Sequence, residues 1–357
     1  MYGRRVTVRV DTELRSAIRG CYVAGDDLAS LRKRLMQRIR RIVTLEAVFF
    51  GGADPETLLF TSIWAEAPLG ASAPLFLANE FGATFDVNRF ASLARAPRPT
   101  GTLDEATRGN RAESPRFREI MAPLRLGDEL RVALRTGKTT WGFLCLHREG
   151  KTGFSPHDIA VLNAIAPHAG EALRRIVADS LGTGQRPSDE EPGVVLSADD
   201  VVVGMTGEAG GWLDDIEGQS VEIGDAVPSS LLVVIRRLEA LERTVASAPP
   251  ARLTMTTRSG SLLGIHAARM RSGKGQSMVA ITLAPAGAPA RSSLMLAAVG
   301  LTAAQRRVAG LVLRGLSTRA IVDELRISEH TVQDHLKTVF EKVGVGSRRE
   351  LVATLLR

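Results

Sequence analysis

The sequence predicts a multidomain protein with two α+β domains followed by an all-α domain of four helices. Its 357 residues exceed what one hydrophobic core usually organises. Two stretches interrupt the chain: residues 181–193 are rich in Gly, Pro and acidic residues, and residues 286–298 begin with a run rich in Ala and Pro. Apolar residues alternate in strand-like fashion before the second stretch and recur every three or four positions after it. We therefore expect domains at residues 1–180, 194–285 and 299–357, joined by two linkers.

Composition limits the class of protein. Hydrophobic residues make up 44% and charged residues 24% of the chain, which is ordinary for a soluble protein with a buried core. No apolar run is long enough to cross a membrane, and the segment Met1–Arg5 does not lead into a secretory signal. We expect a cytoplasmic protein that makes no membrane contact. The net charge of +7 fits a nucleic-acid partner but also a general preference for arginine, so it does not decide function alone.

The first domain begins with a basic amphipathic helix at Asp27–Val43. Leu and Ile recur along one side and Arg along the other. The helix either packs through its apolar stripe, which we favour, or contacts DNA or a membrane through its basic face. Two β-hairpins follow at residues 46–64 and 128–147, and Ser155 caps a closing helix. The stretch Ala65–Glu119 is rich in Ala, Pro, Gly and Arg and predicts no definite element.

This order of elements resembles a GAF domain, which implies an α+β fold. The resemblance is carried by short motifs ahead of the closing helix: Pro123-Leu124, Gly127-Asp128-Glu129-Leu130, Trp141-Gly142 and Phe154-Ser155-Pro156. It implies a module that binds a small molecule between the sheet and the middle helices, or one that only dimerises. The resemblance does not identify the residues that line such a pocket.

Cysteine and histidine spacing predicts no metal site and no cofactor. Cys21 and Cys145 are far apart in sequence and belong to no C-x-x-C or His-paired motif, so we interpret them as buried small side chains. A redox-sensing pair is the alternative. His147, His157 and His168 share no metal-ligand spacing on one face, and we expect them at the surface or in capping positions.

The second domain contains five predicted strands and one long helix. The helix covers residues 229–245, and the strands are expected at residues 194–196, 201–205, 253–257, 262–270 and 278–283. Helices inserted after the second of five strands resemble a PAS-type fold, which implies another sensor or dimerisation module. The resemblance depends on element order and on no diagnostic residue.

Helix-capping residues divide the last domain into four short helices. Thr302 and Gln305 form a capping box, and Ser317 and Ser328 can cap the next two helices. A second capping box, Ser347–Glu350, begins the fourth. The three-residue link Arg326-Ile327-Ser328 gives two of these helices the arrangement of a helix-turn-helix.

The third helix has one apolar and one polar face. Val332, Leu336, Val339 and Val343 fall on a single stripe. The opposite face carries His330, Asp334, Lys337 and Glu341, flanked by Thr331, Gln333 and Thr338. A helix of this kind fits a DNA major groove about 12 Å wide, where its polar side chains reach base edges.

At this point the sequence resembles the LuxR-type DNA-binding domain. The matching motifs include Gly315-Leu316-Ser317, Ile327-Ser328-Glu329-His330-Thr331-Val332, His335-Leu336, Lys342-Val343-Gly344-Val345 and Ser347-Arg348. The resemblance implies that the third helix enters the major groove and that the fourth mediates dimer contacts. It also implies a DNA-binding set that faces bases or lies near phosphates: Thr318, Arg319, His330, Thr331, Gln333, Asp334, His335, Lys337 and Arg348.

Several positions depart from the family pattern. Gln305 replaces a frequent Glu, Gln333 a frequent Lys, and Gly346 a common basic residue. Fewer cations neutralise fewer phosphates and make binding less dependent on salt. Asp334 is repelled by phosphates unless it accepts a hydrogen bond from cytosine N4. We therefore expect weak binding by this domain alone and dependence on dimerisation through the upstream domains.

The sequence thus predicts a transcription regulator whose GAF-like and PAS-like domains sense a small molecule or dimerise. Its expected partners are double-stranded DNA and a second copy of the chain, with a small-molecule effector and RNA polymerase as further candidates. One alternative is a dimeric DNA-binding scaffold that senses nothing. Another is an enzyme regulated by its helix-turn-helix, which we disfavour because no G-x-S-x-G, H-E-x-x-H or glycine-rich phosphate loop is present.

Overall fold

A computed structural model describes residues 12–182, 191–243, 250–271 and 277–355. Most of the predicted 181–193 linker lies outside these ranges. Within them, no helix combines the length and the apolar composition that a membrane span requires.

The first domain is built on a five-stranded antiparallel sheet with strand order β2-β1-β5-β4-β3. Its strands are β1 (Ala47–Ala53), β2 (Phe60–Ala65), β3 (Thr100–Thr102), β4 (Leu126–Thr136) and β5 (Thr139–Glu149). Both predicted hairpins are confirmed, because β1 pairs with β2 and β4 pairs with β5.

Helices cover both faces of this sheet. One face is covered by α1 (12–19), α2 (Leu28–Ile39) and α6 (Pro156–Gly182), and the other by α3 (Ala73–Phe81) and α4 (Phe90–Arg95). Alternate residues of β5 enter the two cores: Leu144 packs with the α2 and α6 side, whereas Phe143 packs with the α3 and α4 side. Leu31 and Leu35 of α2 are fully buried, which confirms packing through the apolar stripe.

The unassigned middle stretch is made of short elements. Besides α3, α4 and β3, it contains α5 (Leu103–Ala106) and helical turns at Leu69–Ser72, Arg111–Glu113 and Phe117–Met121. Elements of three to nine residues span too few turns for a hydrophobic period to be visible in the sequence.

The second domain repeats the same strand order, β7-β6-β10-β9-β8. Its strands are β6 (Gly193–Ala198), β7 (Val201–Met205), β8 (Arg252–Thr256), β9 (Leu262–Arg271) and β10 (Ser277–Pro285). Two helices, α7 (Gly207–Glu217) and α8 (Ser229–Arg243), separate its second and third strands. The domain packs on the first through α8, which contacts α3 and β2.

The C-terminal domain contains the four predicted helices, α10 (Ala303–Leu313), α11 (Thr318–Leu325), α12 (Glu329–Val343) and α13 (Arg348–Leu355). The first capping box is confirmed: the Thr302 amide donates to Gln305 Oε1 over 2.9 Å, and the Gln305 amide donates to Thr302 Oγ1 over 3.3 Å. Gly344 ends α12 at φ +77°, a conformation that favours glycine. Val332, Leu336 and Val339 are buried in the core that these helices share.

The prediction of a linker at residues 286–298 is wrong for most of its length. Residues Ala288–Ala298 form a helix, α9. Pro289 lies in its first turn, where proline is tolerated because the amide there has no helical partner. Alanine, which suggested an open linker, is also the best helix former.

Helix α9 belongs to two hydrophobic cores. Leu294, Ala297 and Ala298 pack in the core of α2 and α6, whereas Leu296 packs in the core of the C-terminal domain. Ser292 Oγ donates to the Leu355 carbonyl over 2.5 Å, and the Arg174 guanidinium of α6 donates to the Ala298 carbonyl. The C-terminal domain is therefore packed against the first domain through a helix that both share.

We expect the backbone amides of α9 to exchange slowly with solvent, because both of its sides are buried. Hydrogen–deuterium exchange of the full chain should show protection over the last two turns of α9 of about a thousandfold or more. Exchange at the rate of an unstructured peptide would contradict the packing of α9.

Candidate nucleic-acid interface and buried polar cluster

Helix α12 presents the predicted polar face to solvent. Ser328 caps it, since its Oγ accepts the Thr331 amide over 3.1 Å. The exposed side chains on this face are His330, Gln333, Asp334 and Lys337, joined by Glu341. Because these side chains are exposed, a duplex could approach the face.

Two side chains of this face lie one turn apart. His330 Nε2 is 3.5 Å from Asp334 Oδ2, and both side chains are largely exposed. An exposed pair of this kind contributes little to stability. Its importance is chemical, because the Asp334 carboxylate can only accept hydrogen bonds and cytosine N4 is the base-edge donor that it can read.

The other predicted residues flank this face. Thr331 and His335 are half-buried on α12. Thr318 begins α11 and is half-buried, whereas Arg319 beside it is exposed. Arg348 begins α13 and is half-buried, and its Nη2 has no hydrogen-bond partner within the described ranges. Thr318 and Arg319 belong to α11 and Arg348 belongs to α13, and both of these helices pack against α12. These three residues therefore lie beside the polar face of α12 and not on it.

One exposed cation escaped the sequence prediction. Arg326 lies in the link between α11 and α12 and adopts φ +53°, a left-handed conformation that is uncommon for residues other than glycine. The sequence places Arg326 in the link before α12, but the predicted DNA-binding set did not include it.

The first domain contains a buried polar cluster, which consists of Glu80, Asp86, Arg116, Glu129, Arg131 and His147. All six residues are less than 5% exposed. The sequence analysis missed the cluster, although Asp128, Glu129 and Arg131 interrupt an otherwise apolar strand. The prediction of a surface or capping role for His147 is wrong, because only 3% of this residue is exposed.

Ion pairs hold the cluster together. Arg116 Nε lies 3.0 Å from Glu129 Oε1, and Arg131 Nη1 lies 2.7 Å from Glu80 Oε2. Arg131 Nε is 3.2 Å from Glu129 Oε2. Burial alone would raise the pKa of Glu129, but the guanidiniums of Arg116 and Arg131 outweigh it and hold this pKa well below its usual range. Two cations thus face three carboxylates, with Asp86 Oδ2 3.4 Å from Arg116 Nη1.

Cys145 and His147 adjoin this cluster. Cys145 Sγ lies 3.3 Å from His147 Nε2 and 3.6 Å from Glu129 Oε2. These three residue types can hold a metal ion, and their ligand atoms lie within 4.8 Å of one another. However, Glu129 is already paired with two guanidiniums, which repel a further cation. Burial also raises the pKa of the Cys145 thiol well above its usual value, so the thiolate that a metal needs is disfavoured.

A small apolar cavity of about 30 Å³, partly open to solvent, lies beside the cluster. Its walls come from β1, β2, α3 and the turn before β4, and include Phe49, Ile63, Phe76 and Met121. Its polar lining among the described residues is limited to Ser72, Arg116 and His147. The cavity is thus enclosed by the sheet and the middle helices.

We expect His147 to make stability depend on pH. Burial lowers the pKa of His147 to about 4 in the folded chain, below the ordinary value of 6.5. Between these values the unfolded state binds more protons, so stability falls as pH falls. The loss should reach about 3 kcal/mol of unfolding free energy, measured by urea denaturation at graded pH.

In the His147→Gln variant, stability should depend less steeply on pH over this window. The exposed His157→Gln variant serves as the control and should keep the slope of the unmodified chain. Equal slopes for His147→Gln and the unmodified chain would show that His147 is not held neutral.

Comparison with known proteins matches two parts of the chain. A family model described as bacterial regulatory proteins, luxR family, matches residues 299–355, and a GAF domain model matches residues 27–173. The ligand-binding domain of VqsR from Pseudomonas aeruginosa is matched at 13% identity over 48% of this chain and 96% of that one. Its TM-score of 0.32 is too low to support an argument about function.

Two curated relatives match the C-terminal domain. The spore germination protein GerE of Bacillus subtilis is 40% identical over 57 residues, which are 16% of this chain and 77% of that protein. The monoamine regulon transcriptional regulator of Klebsiella aerogenes is 43% identical over 53 residues, which are 15% of this chain and 23% of that protein. The chain therefore spans less than a quarter of the Klebsiella relative. From the GerE match and the family model together, the chain belongs to the luxR family of bacterial regulatory proteins.

Proposed function

We propose that this protein is a sequence-specific DNA-binding transcription regulator in the cytoplasm. The observation that carries the proposal is the exposed polar face of α12 within a capped helix-turn-helix. Membership of a regulatory family supports it. The proposal includes no catalytic activity.

In this proposal α12 lies in the major groove. Gln333 and Lys337 reach base edges, where a Gln amide pairs with adenine and a Lys ammonium with guanine. Asp334 accepts from cytosine N4, and His330 and His335 contact the groove at its sides. Each good pairing of this kind discriminates against a wrong base by about 1–3 kcal/mol.

Residues around this face position the duplex by contacting phosphates. Thr318 and Thr331 offer hydroxyls at helix starts, where the helix dipole also favours an anion. Arg319 and Arg326 are exposed cations in the helix-turn-helix, and Arg348 is half-buried at the start of α13. Phosphate contacts fix register and carry no sequence information.

The second domain is, in this proposal, a PAS-like module bounded by residues 194 and 285. Its antiparallel strand order and the insertion of α7 and α8 between the second and third strands support this assignment. Its packing on the first domain through α8 and α3 suits a role in sensing or in dimerisation.

We further propose that the GAF domain controls DNA binding through α9. Its cavity and α9 lie on opposite faces of one sheet, and α6 connects that sheet to α9. An effector that prefers one arrangement of these layers shifts the population competent to bind DNA.

The partners proposed are double-stranded DNA, a second copy of the chain and a small-molecule effector, while contact with RNA polymerase stays a prediction.

We expect Lys337→Ala to weaken DNA binding about tenfold, because it removes a cation from the groove face. Discrimination against a wrong base at the position that the ammonium reads should also relax, by about 1–3 kcal/mol. Gel shifts on a site selected by the protein from random-sequence DNA, and on variants of that site, measure both quantities.

Lys342→Ala is the matched control. Lys342 lies on the same helix, but its Nζ donates to the Gly300 carbonyl over 2.8 Å and lies away from the groove face. This variant should bind DNA as the unmodified chain does. Equal losses in the two variants, or no loss in Lys337→Ala, would refute groove docking by α12.

We expect binding to depend on the spacing of two half-sites. A symmetric dimer needs half-sites about 10 base pairs apart, so that both recognition helices meet the same side of the duplex. Inserting about five base pairs turns one half-site to the opposite side and should weaken binding tenfold or more, measured by the same gel shifts. An affinity that does not change with the half-site spacing would indicate that monomers bind independently.

A further inference from the structure

A second cavity, of about 240 Å³ and partly open to solvent, lies where the three domains meet. Its walls come from the turn between β1 and β2, from β8 of the second domain, from α9 and from α10. It shares no lining residue with the small apolar cavity beside the buried polar cluster. A water molecule takes about 30 Å³ of liquid, so this junction cavity has room for an organic molecule of about eight to ten non-hydrogen atoms.

The turn between β1 and β2 holds the walls of the junction cavity together. Asp54 Oδ2 accepts the Thr254 amide of β8 over 2.8 Å. Glu56 Oε1 pairs with Arg252 of the second domain over 3.0 Å, and Ser293 of α9 donates to Glu56 Oε2 over 3.5 Å. One short turn of the first domain is thus bonded both to the second domain and to α9.

Arg306 of α10 is a half-buried cation in the wall of this cavity. Its Nη1 donates to Thr139 Oγ1 and to the Leu301 carbonyl, each over 3.0 Å. No described carboxylate lies within ion-pair distance, and burial lowers the pKa of this guanidinium. Its Nε and Nη2 have no hydrogen-bond partner among the described residues. These two donors form one edge of the guanidinium, an edge that can bind a carboxylate through two parallel hydrogen bonds.

The same walls also carry negative charge. Asp54 has little capacity left, because the backbone amides of Glu56, Thr57 and Thr254 already donate to its two oxygens. Glu56 has capacity to spare, since an ionised carboxylate offers about four acceptor positions. Although Arg306 and Glu56 both line the cavity, they do not pair with each other. A ligand group can therefore lie between them.

This combination of charges selects the ligand. A simple anion would be attracted by Arg306 but repelled by Glu56 and Asp54, and a simple cation would meet the reverse. A molecule with both charges satisfies the cation and the carboxylate together. Pro55, Leu294 and Ala297 supply apolar surface, which suits a compact aliphatic group on the same molecule.

We propose that the junction cavity binds a small zwitterion of the α-amino acid class, with its carboxylate on Arg306 and its ammonium on Glu56. Its aliphatic side chain lies against Leu294 and Ala297. The ligand would connect α10 of the DNA-binding domain to the turn that joins the other two domains. For its consequence the inference rests on the proposed function, because a ligand at this junction biases the arrangement of the DNA-binding domain.

Three probes with the same aliphatic group test this inference. L-leucine carries both charges, 4-methylpentanoate lacks the ammonium, and 3-methylbutylamine lacks the carboxylate. Isothermal titration calorimetry with the full chain should show L-leucine binding about tenfold or more tighter than either of the others, because each charged contact contributes a charge-assisted hydrogen bond. Equal binding of 4-methylpentanoate would indicate a simple anion site and overturn the inference, as would equal binding of the amine or no binding of L-leucine at millimolar concentration.

Two variants assign the two charges of the ligand. In Glu56→Gln the partner of the ammonium is neutral, so L-leucine and 4-methylpentanoate should bind within about twofold of each other. In Arg306→Gln the partner of the carboxylate is lost, so L-leucine and 3-methylbutylamine should bind equally. Arg307→Gln is the matched control, because Arg307 is the next residue of α10, is exposed and does not line the cavity. It should keep the selectivity of the unmodified chain.

A preference for L-leucine that persists in both charge variants would place the ligand elsewhere and overturn the inference. Ala290→Phe fills the cavity without changing a charge, and it should abolish binding of L-leucine. If a charge variant does not fold, the comparison of the three probes on the unmodified chain and the result for Ala290→Phe still decide.

Gel shifts without any probe separate this inference from the proposed function. DNA binding by a chain that does not bind L-leucine would overturn only the junction site. Binding of L-leucine with the predicted selectivity, by a chain that binds no DNA, would overturn the proposed function and leave the site in place.

Discussion

The burial of α9 on two sides is the constraint on which the arrangement of the domains depends. Leu294 and Leu296 are 7% and 3% exposed, although they point into different cores. Burying a leucine side chain contributes about 1.5–3 kcal/mol of stability. Separating α9 from either core would therefore lose stabilising free energy of this size. Arg306 of α10 adds a hydrogen bond over 3.0 Å to Thr139, the first residue of β5. The DNA-binding domain is thereby tied to the sheet that encloses the cavity.

The sheet of the first domain has different chemistry on its two faces. The α6 and α9 side is apolar, whereas the other side combines an apolar cavity with a saturated ion network. Buried ion pairs contribute little net stability but are costly to break, so the network fixes the positions of Arg116 and Glu129. His147, beside it, keeps one hydrogen-bonding atom unused among the described residues.

Much of the fold could be predicted from local sequence signals. Capping residues such as Thr302 and Ser328, and the apolar stripe of α12, act within one helix, so the sequence displays them directly. Hairpins are equally local. The ion network joins residues as distant as Glu80 and Arg131, and no local pattern marks such pairs. The linker prediction failed at α9 because composition alone does not show that both sides of a helix will be buried. On the DNA-binding face, the predicted residues remain predictions.

The central claim is that the DNA-binding domain is held against the GAF domain. Electron spin resonance on the full chain, with labels at Lys138→Cys and Arg307→Cys, tests it most directly. Both sites are exposed, whereas native Cys21 and Cys145 are buried and should not be labelled. Because Arg306 contacts Thr139, we predict one short and narrow distribution of distances between the labels. A broad distribution extending to long distances would mean that the C-terminal domain moves freely, and would contradict the account.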